Sequence, residues 1–353
     1  MLPYFILIII IISSYFFMKR FIKNYRKKYC IFIGILLFLM LALRDTSVGL
    51  DIEGLYLPYF KLIKSMSLRE IVAFCNEKET ELVFYLLNYI IAIFSENVHF
   101  YLAIMAFPYV FIVSRFIYKY AKNPVIGFLI FLSLNYYCFS FSALRHTLAA
   151  SILVFSYDFL KEKKLLPFLI SVFIASTFHR TALIFLIAYP ISNLKIGWKQ
   201  IAVVMSIVLC TTLFRDVLFN LIFLVFNSGH FYEYLSRGKS MSLVFFAINF
   251  SLYLFMLYLF GEDRNKKSNA LFLNLQFLCM CFSAMTLILG EMIRISFYFG
   301  IFACASVPNA IENSNYSVNK KFYYFLMSLC LIVYFLNFTI YNNSIVPYSS
   351  IFS

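Results

Sequence analysis

The chain has 353 residues, of which 63% are hydrophobic and 13% charged, against roughly 25% charged in an ordinary soluble domain. A water-soluble fold of this length has too little interior to hide that much Phe, Leu, Ile and Tyr. The formal charge of +14 falls in short clusters between apolar runs, which speaks for membrane topology and against a nucleic-acid-binding stripe.

A bilayer crossing needs roughly 20 mostly apolar residues. The first candidate, 2–18, is followed by its positive cluster and shows no small-residue cleavage site, so it reads as a crossing and not as a secretory leader. Lys19, Arg20, Lys23, Arg26, Lys27 and Lys28 come next, and the positive-inside rule puts them in the cytoplasm. A second crossing, 29–43, leads to an outer loop, 44–98. The apolar stretch 82–94 inside this loop is short and flanked by Glu79, Glu81, Glu96 and Asn97. Lying in the outer interface as an amphipathic helix, it keeps the number of crossings between basic clusters even. The segment 100–118 returns to Lys119 and Lys122.

Four pairs of apolar segments follow: 124–141 with 144–160, 165–178 with 181–192, 200–214 with 240–260, and 269–289 with 292–308. They return in turn to Lys161/Lys163/Lys164, Lys195/Lys199, Arg264/Lys266/Lys267 and Lys320/Lys321. A second outer loop, 215–239, carries another interfacial stretch near 218–226, and 322–341 crosses last. The expected fold is an all-α polytopic integral membrane protein, a single domain over 1–353. It has about 12 crossings and both termini outside. The eight cysteines lie mostly in apolar runs and read as small core hydrophobes; Cys279-x-Cys281 has neither zinc-finger nor redox spacing.

The outer turns collect ionisable residues: Arg44, Asp45 and Asp51; Arg145 and His146; His179 and Arg180; Arg215, Asp216 and His230; Glu291 and Arg294. Such groups at membrane depth are costly and usually functional. Arginine is the side chain suited to two-point contact with phosphate. Each also has a plainer reading, as a helix-end ion pair, a snorkelling cation, a turn residue or a satisfied buried histidine. Tyr56, Tyr59, Tyr136, Tyr137 and Tyr298 fall near the outer face, where rings can stack on sugars. No phosphate-binding loop, dinucleotide fingerprint, zinc-protease helix or nucleophile elbow is present, so ATP hydrolysis by this chain is not expected.

At these residues a family pattern emerges. Arg44-Asp-Thr-Ser-Val-Gly-Leu-Asp51, followed by Tyr56 and Phe60, resembles the opening R-D-x-x-V-G-x-D-x-x-x-Y-x-x-x-F of the EpsG family. Phe141-Ser-Ala-Leu-Arg145-His-Thr-Leu-Ala149 and Ala175-Ser-Thr-Phe-His179-Arg-Thr-Ala182 resemble its middle blocks. Arg294-Ile-Ser-Phe-Tyr298-Phe and Val346-Pro-Tyr348 resemble its late ones. The blocks stand in family order across nearly the whole chain; His146 departs from the family's usual Gln, so no role passes to it. The early outer loop with acidic residues and an interfacial helix also looks like GT-C glycosyltransferases.

What the resemblance implies is a Wzy-type polymerase of exopolysaccharide or O-antigen in the bacterial cytoplasmic (inner) membrane, with its active site facing outside. Its substrate would be an undecaprenyl-diphosphate-linked oligosaccharide, and a flippase and a chain-length regulator of the same pathway would be its partners. Arg44, Arg145, Arg180 and Arg294 would hold the diphosphate, and His179 or Asp51 would serve the attacking hydroxyl. Asp45, Tyr56 and Tyr298 would contact sugars. No cofactor is expected, and with no metal-binding cluster in the sequence a metal-independent reaction is the default, with Asp45 and Asp51 the residues that could hold an ion. Two rivals use the same donor. A flippase would need its basic cavity at mid-depth rather than at outer turns, and a ligase would carry its large outer loop late in the chain.

Overall fold

In the computed structural model, residues 2–214, 217, 241–286, 288–314, 319–340 and 345–352 are described. Among these, every extended element is helical; the single β-bridge pairs Arg44 with Ser350. Helices α1 (Leu2–Phe21) and α2 (Tyr25–Ala42) form the first hairpin. The outer loop then folds into a π-turn at Ile52–Tyr56, α3 (Leu57–Lys64), α4 (Leu68–Glu77) and α5 (Leu82–Phe94). Helix α4 opens with a capping box, in which Ser67 and Glu70 satisfy each other's backbone N–H groups. Ile52, Phe60, Ile71, Phe84 and Ile91 give this region an apolar core of its own, closed by Leu144 and Leu148.

Helix α6 (Val98–Tyr120) runs antiparallel to α2, with His99 against the Ala42 carbonyl at one end and Arg26 donating to the Tyr118 carbonyl at the other. Next come α7 (Pro124–Ser133), α8 (Tyr136–Phe139), α9 (Leu144–Phe155), α10 (Tyr157–Glu162) and α11 (Leu165–Phe178). A 3-10 segment, Arg180–Ile187, leads to α12 (Ala188–Ile191) and α13 (Trp198–Leu213). The remaining helices are α14 (Met241–Phe260), α15 (Lys267–Met285), α16 (Met292–Gly300), α17 (Ala303–Glu312) and α18 (Lys320–Tyr334). All ten residues of α7 are buried, and the helix packs against α17, α18, α1 and α6, which makes it the centre of the bundle.

The expected number of crossings does not translate into as many long helices. Four helices are long and apolar enough to cross a membrane, or up to five if α16 and α17, bent by 44°, form one span. The remaining apolar stretches are shorter or broken. The segment 124–141 stops at Asn135, which is left-handed (φ 71°), and 144–160 is interrupted at Ser156. The segment 181–192 starts as 3-10 helix. A ten-residue helix rises about 15 Å, half of a hydrocarbon core of about 30 Å. Broken backbone at that depth is tolerated where protein surrounds it, as it does α7. The stretch 218–226 lies outside the described residues, as do Arg215, Asp216 and His230. The stretch 82–94 is the helix α5.

The basic clusters gather at one end of the bundle. Lys119 pairs with Asp158 at 2.8 Å, and Asn309 binds both the Lys122 N–H and the Tyr120 carbonyl. Asn265 accepts from the Ile196 N–H, and Lys320 reaches Glu312. Of the ionisable residues expected at outer turns, Arg145, His179 and Arg180 come together where α5, α9 and α11 meet.

Candidate active site

The short α9–α10–α11 hairpin returns the chain on itself, so Arg145 in the first turn of α9 stands beside His179 at the end of α11. Helix α5 packs against α3 and α11 and brings Glu81, the residue before its first turn, to the same place. A carboxylate is favoured there by the free N–H groups of the helix start. Glu81 Oε2 pairs with Arg145 Nη1 at 2.7 Å. Its Oε1 meets His179 Nδ1 at 3.2 Å and accepts from the Arg180 backbone N–H at 3.2 Å. Arg145 Nη1 also donates to Thr80 Oγ1 at 2.7 Å.

The Glu81 side chain is 8% exposed, while those of His179 and Arg145 are 15% and 24% exposed. The carboxylate is therefore enclosed, and both partners keep an open side. Burial pushes the Glu81 carboxyl up, but the His179 hydrogen bond, the Arg145 charge and the Arg180 N–H outweigh it and hold it at about 2. An ionised acceptor facing Nδ1 fixes that nitrogen as the donor, so in the neutral ring Nε2 carries the lone pair.

Asp51 borders this cluster. Its burial raises the carboxyl, and the charges of Arg294 and Arg145 work in the opposite direction. Arg294 Nε pairs with Glu291 at 2.7 Å across one helical turn, and its carbonyl meets His146 Nε2 at 2.8 Å. The His146 ring lies flat on Tyr298, with centroids 4.4 Å apart, and edge-on to His179 at 5.8 Å. Tyr298 in turn shares a hydrogen bond with the Thr181 hydroxyl at 3.2 Å. The stacked pair forms a rigid wall behind His179.

Several expected ligands are placed elsewhere or enclosed. Arg44 is 1% exposed and sits over the Phe141 ring at 4.9 Å, among Tyr4, Tyr101, Tyr137 and Tyr348. Its Nε and Nη1 have no hydrogen-bond partner, so the ring face offsets part of the cost of a buried cation. No diphosphate reaches it as placed. Asp45 closes a turn, accepting from the Ser47 N–H and hydroxyl, and those bonds lower its carboxyl. Tyr56 is buried edge-on against Phe84, and Tyr298 is fully buried with one face covered by His146, so neither ring is free to stack on a sugar. Arg180 joins the cluster through its backbone while its side chain is exposed.

The opening motif instead joins loops. Gly49 has φ +114°, and a Cβ there would overlap the Phe141 carbonyl, so only glycine allows this approach. Ser142 accepts from the Leu50 N–H, and the tail adds Ser349 to the Asp45 N–H and Tyr348 to the Met40 carbonyl. Sequence reasoning missed Glu81, Thr80 and Thr181. The available signal was charge: Arg145, His179 and Arg180 need a counter-ion, and Glu81 heads an apolar run.

The EpsG family model matches residues 27–350. No curated protein and no solved structure matches the chain. The match spans the loop-joining residues Arg44 and Gly49 as well as Glu81, Arg145, His179 and Tyr298. This multi-pass membrane protein belongs to the EpsG family.

Proposed function

We propose that the protein polymerises lipid-linked glycan repeat units on the outer face of the bacterial cytoplasmic membrane. An acceptor-sugar hydroxyl attacks the anomeric carbon of the donor glycan. The bond from that carbon to the undecaprenyl diphosphate oxygen breaks, and the hydroxyl proton passes to His179 Nε2. Glu81 accepts from Nδ1–H and stabilises the imidazolium as it forms. Arg145, anchored through Nη1, offers its remaining N–H groups to the leaving diphosphate, with Arg294 and Arg180 adding charge nearby. Asp51 orients the acceptor by hydrogen bonds. Arg44, Asp45, Tyr56 and Tyr298 hold the framework.

The observation that carries this reading is the Glu81 carboxylate shared between His179 Nδ1 and Arg145 Nη1. It pairs a base with a directed acceptor nitrogen and a cation for the leaving group in one pocket. The test is the lipid-linked pool of a deletion strain. Single units attached to their lipid and exposed outside the membrane are expected; units retained on the cytoplasmic side would assign the protein to transport.

A further inference from the structure

A groove of about 680 Å³ runs between α2 and α6, and none of the residues of the Glu81 cluster lines it. At its basic end stand Lys27, Arg115 and Lys119; along the rest, Ile35, Leu39 and Phe107 line it with apolar surface. The helices approach closely beneath it because position 34 is glycine, where a Cβ would come within 2.8 Å of Ser114 Oγ. Ile35, Leu39 and Phe107 are all well exposed, so none of the described residues covers the groove.

Two features identify the occupant. Lys27 to Leu39 is a run of thirteen residues of α2, a rise of about 18 Å, close to one leaflet of a hydrocarbon core about 30 Å thick. The mouth carries three cations against one carboxylate, Asp158, which lies 2.8 Å from Lys119 and 3.7 Å from Arg115. Lys27 makes no ion pair among the described residues. The surplus positive charge sits at the end of the bundle where the other basic clusters gather, the cytoplasmic end by the positive-inside rule.

We propose that this groove is a binding site for one anionic glycerophospholipid of the cytoplasmic leaflet, its phosphate headgroup at Lys27 and Arg115 and an acyl chain along Ile35 and Phe107. The length of one leaflet suits an acyl chain and not a polyprenyl chain that runs well beyond it. The site is independent of the glycosyl-transfer pocket.

Native mass spectrometry of the full-length protein, delipidated and then offered phosphatidylglycerol, phosphatidylethanolamine or undecaprenyl phosphate, tests the proposal. A single phosphatidylglycerol adduct is expected to outcompete the other two. Each basic residue near an anionic headgroup contributes about fivefold, so Lys27→Ala with Arg115→Ala should weaken it about 25-fold. Ile35→Trp, which fills the groove without changing charge, should also remove the adduct and serves if the double variant fails to fold. Lys61→Ala with Lys64→Ala, on α3, should leave it intact. Equal retention of phosphatidylethanolamine, preferential retention of undecaprenyl phosphate, or an adduct indifferent to Ile35→Trp would each overturn the site.

Discussion

Glu81→Gln is the substitution with the most to say about the cluster, because it keeps the shape and an acceptor oxygen and removes only the charge. The carboxyl is held at about 2 against an ordinary 4.5, a preference for the ionised form of about 3 kcal/mol. Breaking a fully buried ion pair costs about 3–5 kcal/mol. Arg145 retains some solvent, so about 2 kcal/mol of folding stability is the expected loss. A double-mutant cycle with Arg145→Gln, read by thermal unfolding in nanodiscs, should give a coupling of about 1–3 kcal/mol. The sign with pH follows from the lowered carboxyl. Its contribution is complete above about 4.5 and is lost as pH falls toward about 2, so the wild type should lose its advantage over Glu81→Gln in that window. Polymer output should fall about 100-fold or more. Additive single substitutions, or identical acid unfolding of both proteins, would refute the coupling of Glu81 to Arg145 and His179.

Arg145→Lys should lose most polymer at normal expression, since an ammonium cannot hold Thr80, Glu81 and a phosphate with one planar group; full-length polymer would leave Arg145 a purely structural cation. Asp51→Asn should cost no more than about tenfold in polymerisation rate, because an amide still hydrogen-bonds a sugar, and complete loss would argue that its charge is essential. Gly49→Ala should destabilise the fold by about 2 kcal/mol or more, from the positive φ and the contact with Phe141, measured as loss of monodisperse protein in detergent. In a cysteine-free background, a cysteine at Asn76 should react with an impermeant maleimide from outside intact spheroplasts and one at Lys267 should not; the reverse pattern would invert the topology.

The apolar load and the spacing of the basic clusters were enough to read a helical membrane protein and the gathering of those clusters at one end. The approach of Arg145 to His179 was also legible, because a short hairpin between two apolar segments must return the chain beside its start. The breaks at Asn135 and Ser156 were not, since hydropathy does not register a left-handed residue inside an apolar run. Glu81 was hidden for a different reason. It belongs to a polar flank 64 residues before Arg145, and only the packing of α5 against α11 brings it into the pocket. The packing of Arg44 and Tyr56 was not legible either. Their motif residues resemble ligands in sequence, yet Phe141 and Phe84 claim their side chains as parts of the loop framework.

In the proposed reaction His179 accepts the proton of the attacking hydroxyl. The most direct test is His179→Gln expressed in a deletion strain, with surface polymer and lipid-linked intermediates measured together and donor-lipid binding checked on the purified protein. Normal insertion, retained donor binding, accumulated single units and no polymer are expected. Polymer of normal length from His179→Gln, alongside an inactive Asp51→Asn, would contradict this and transfer the role of base to Asp51.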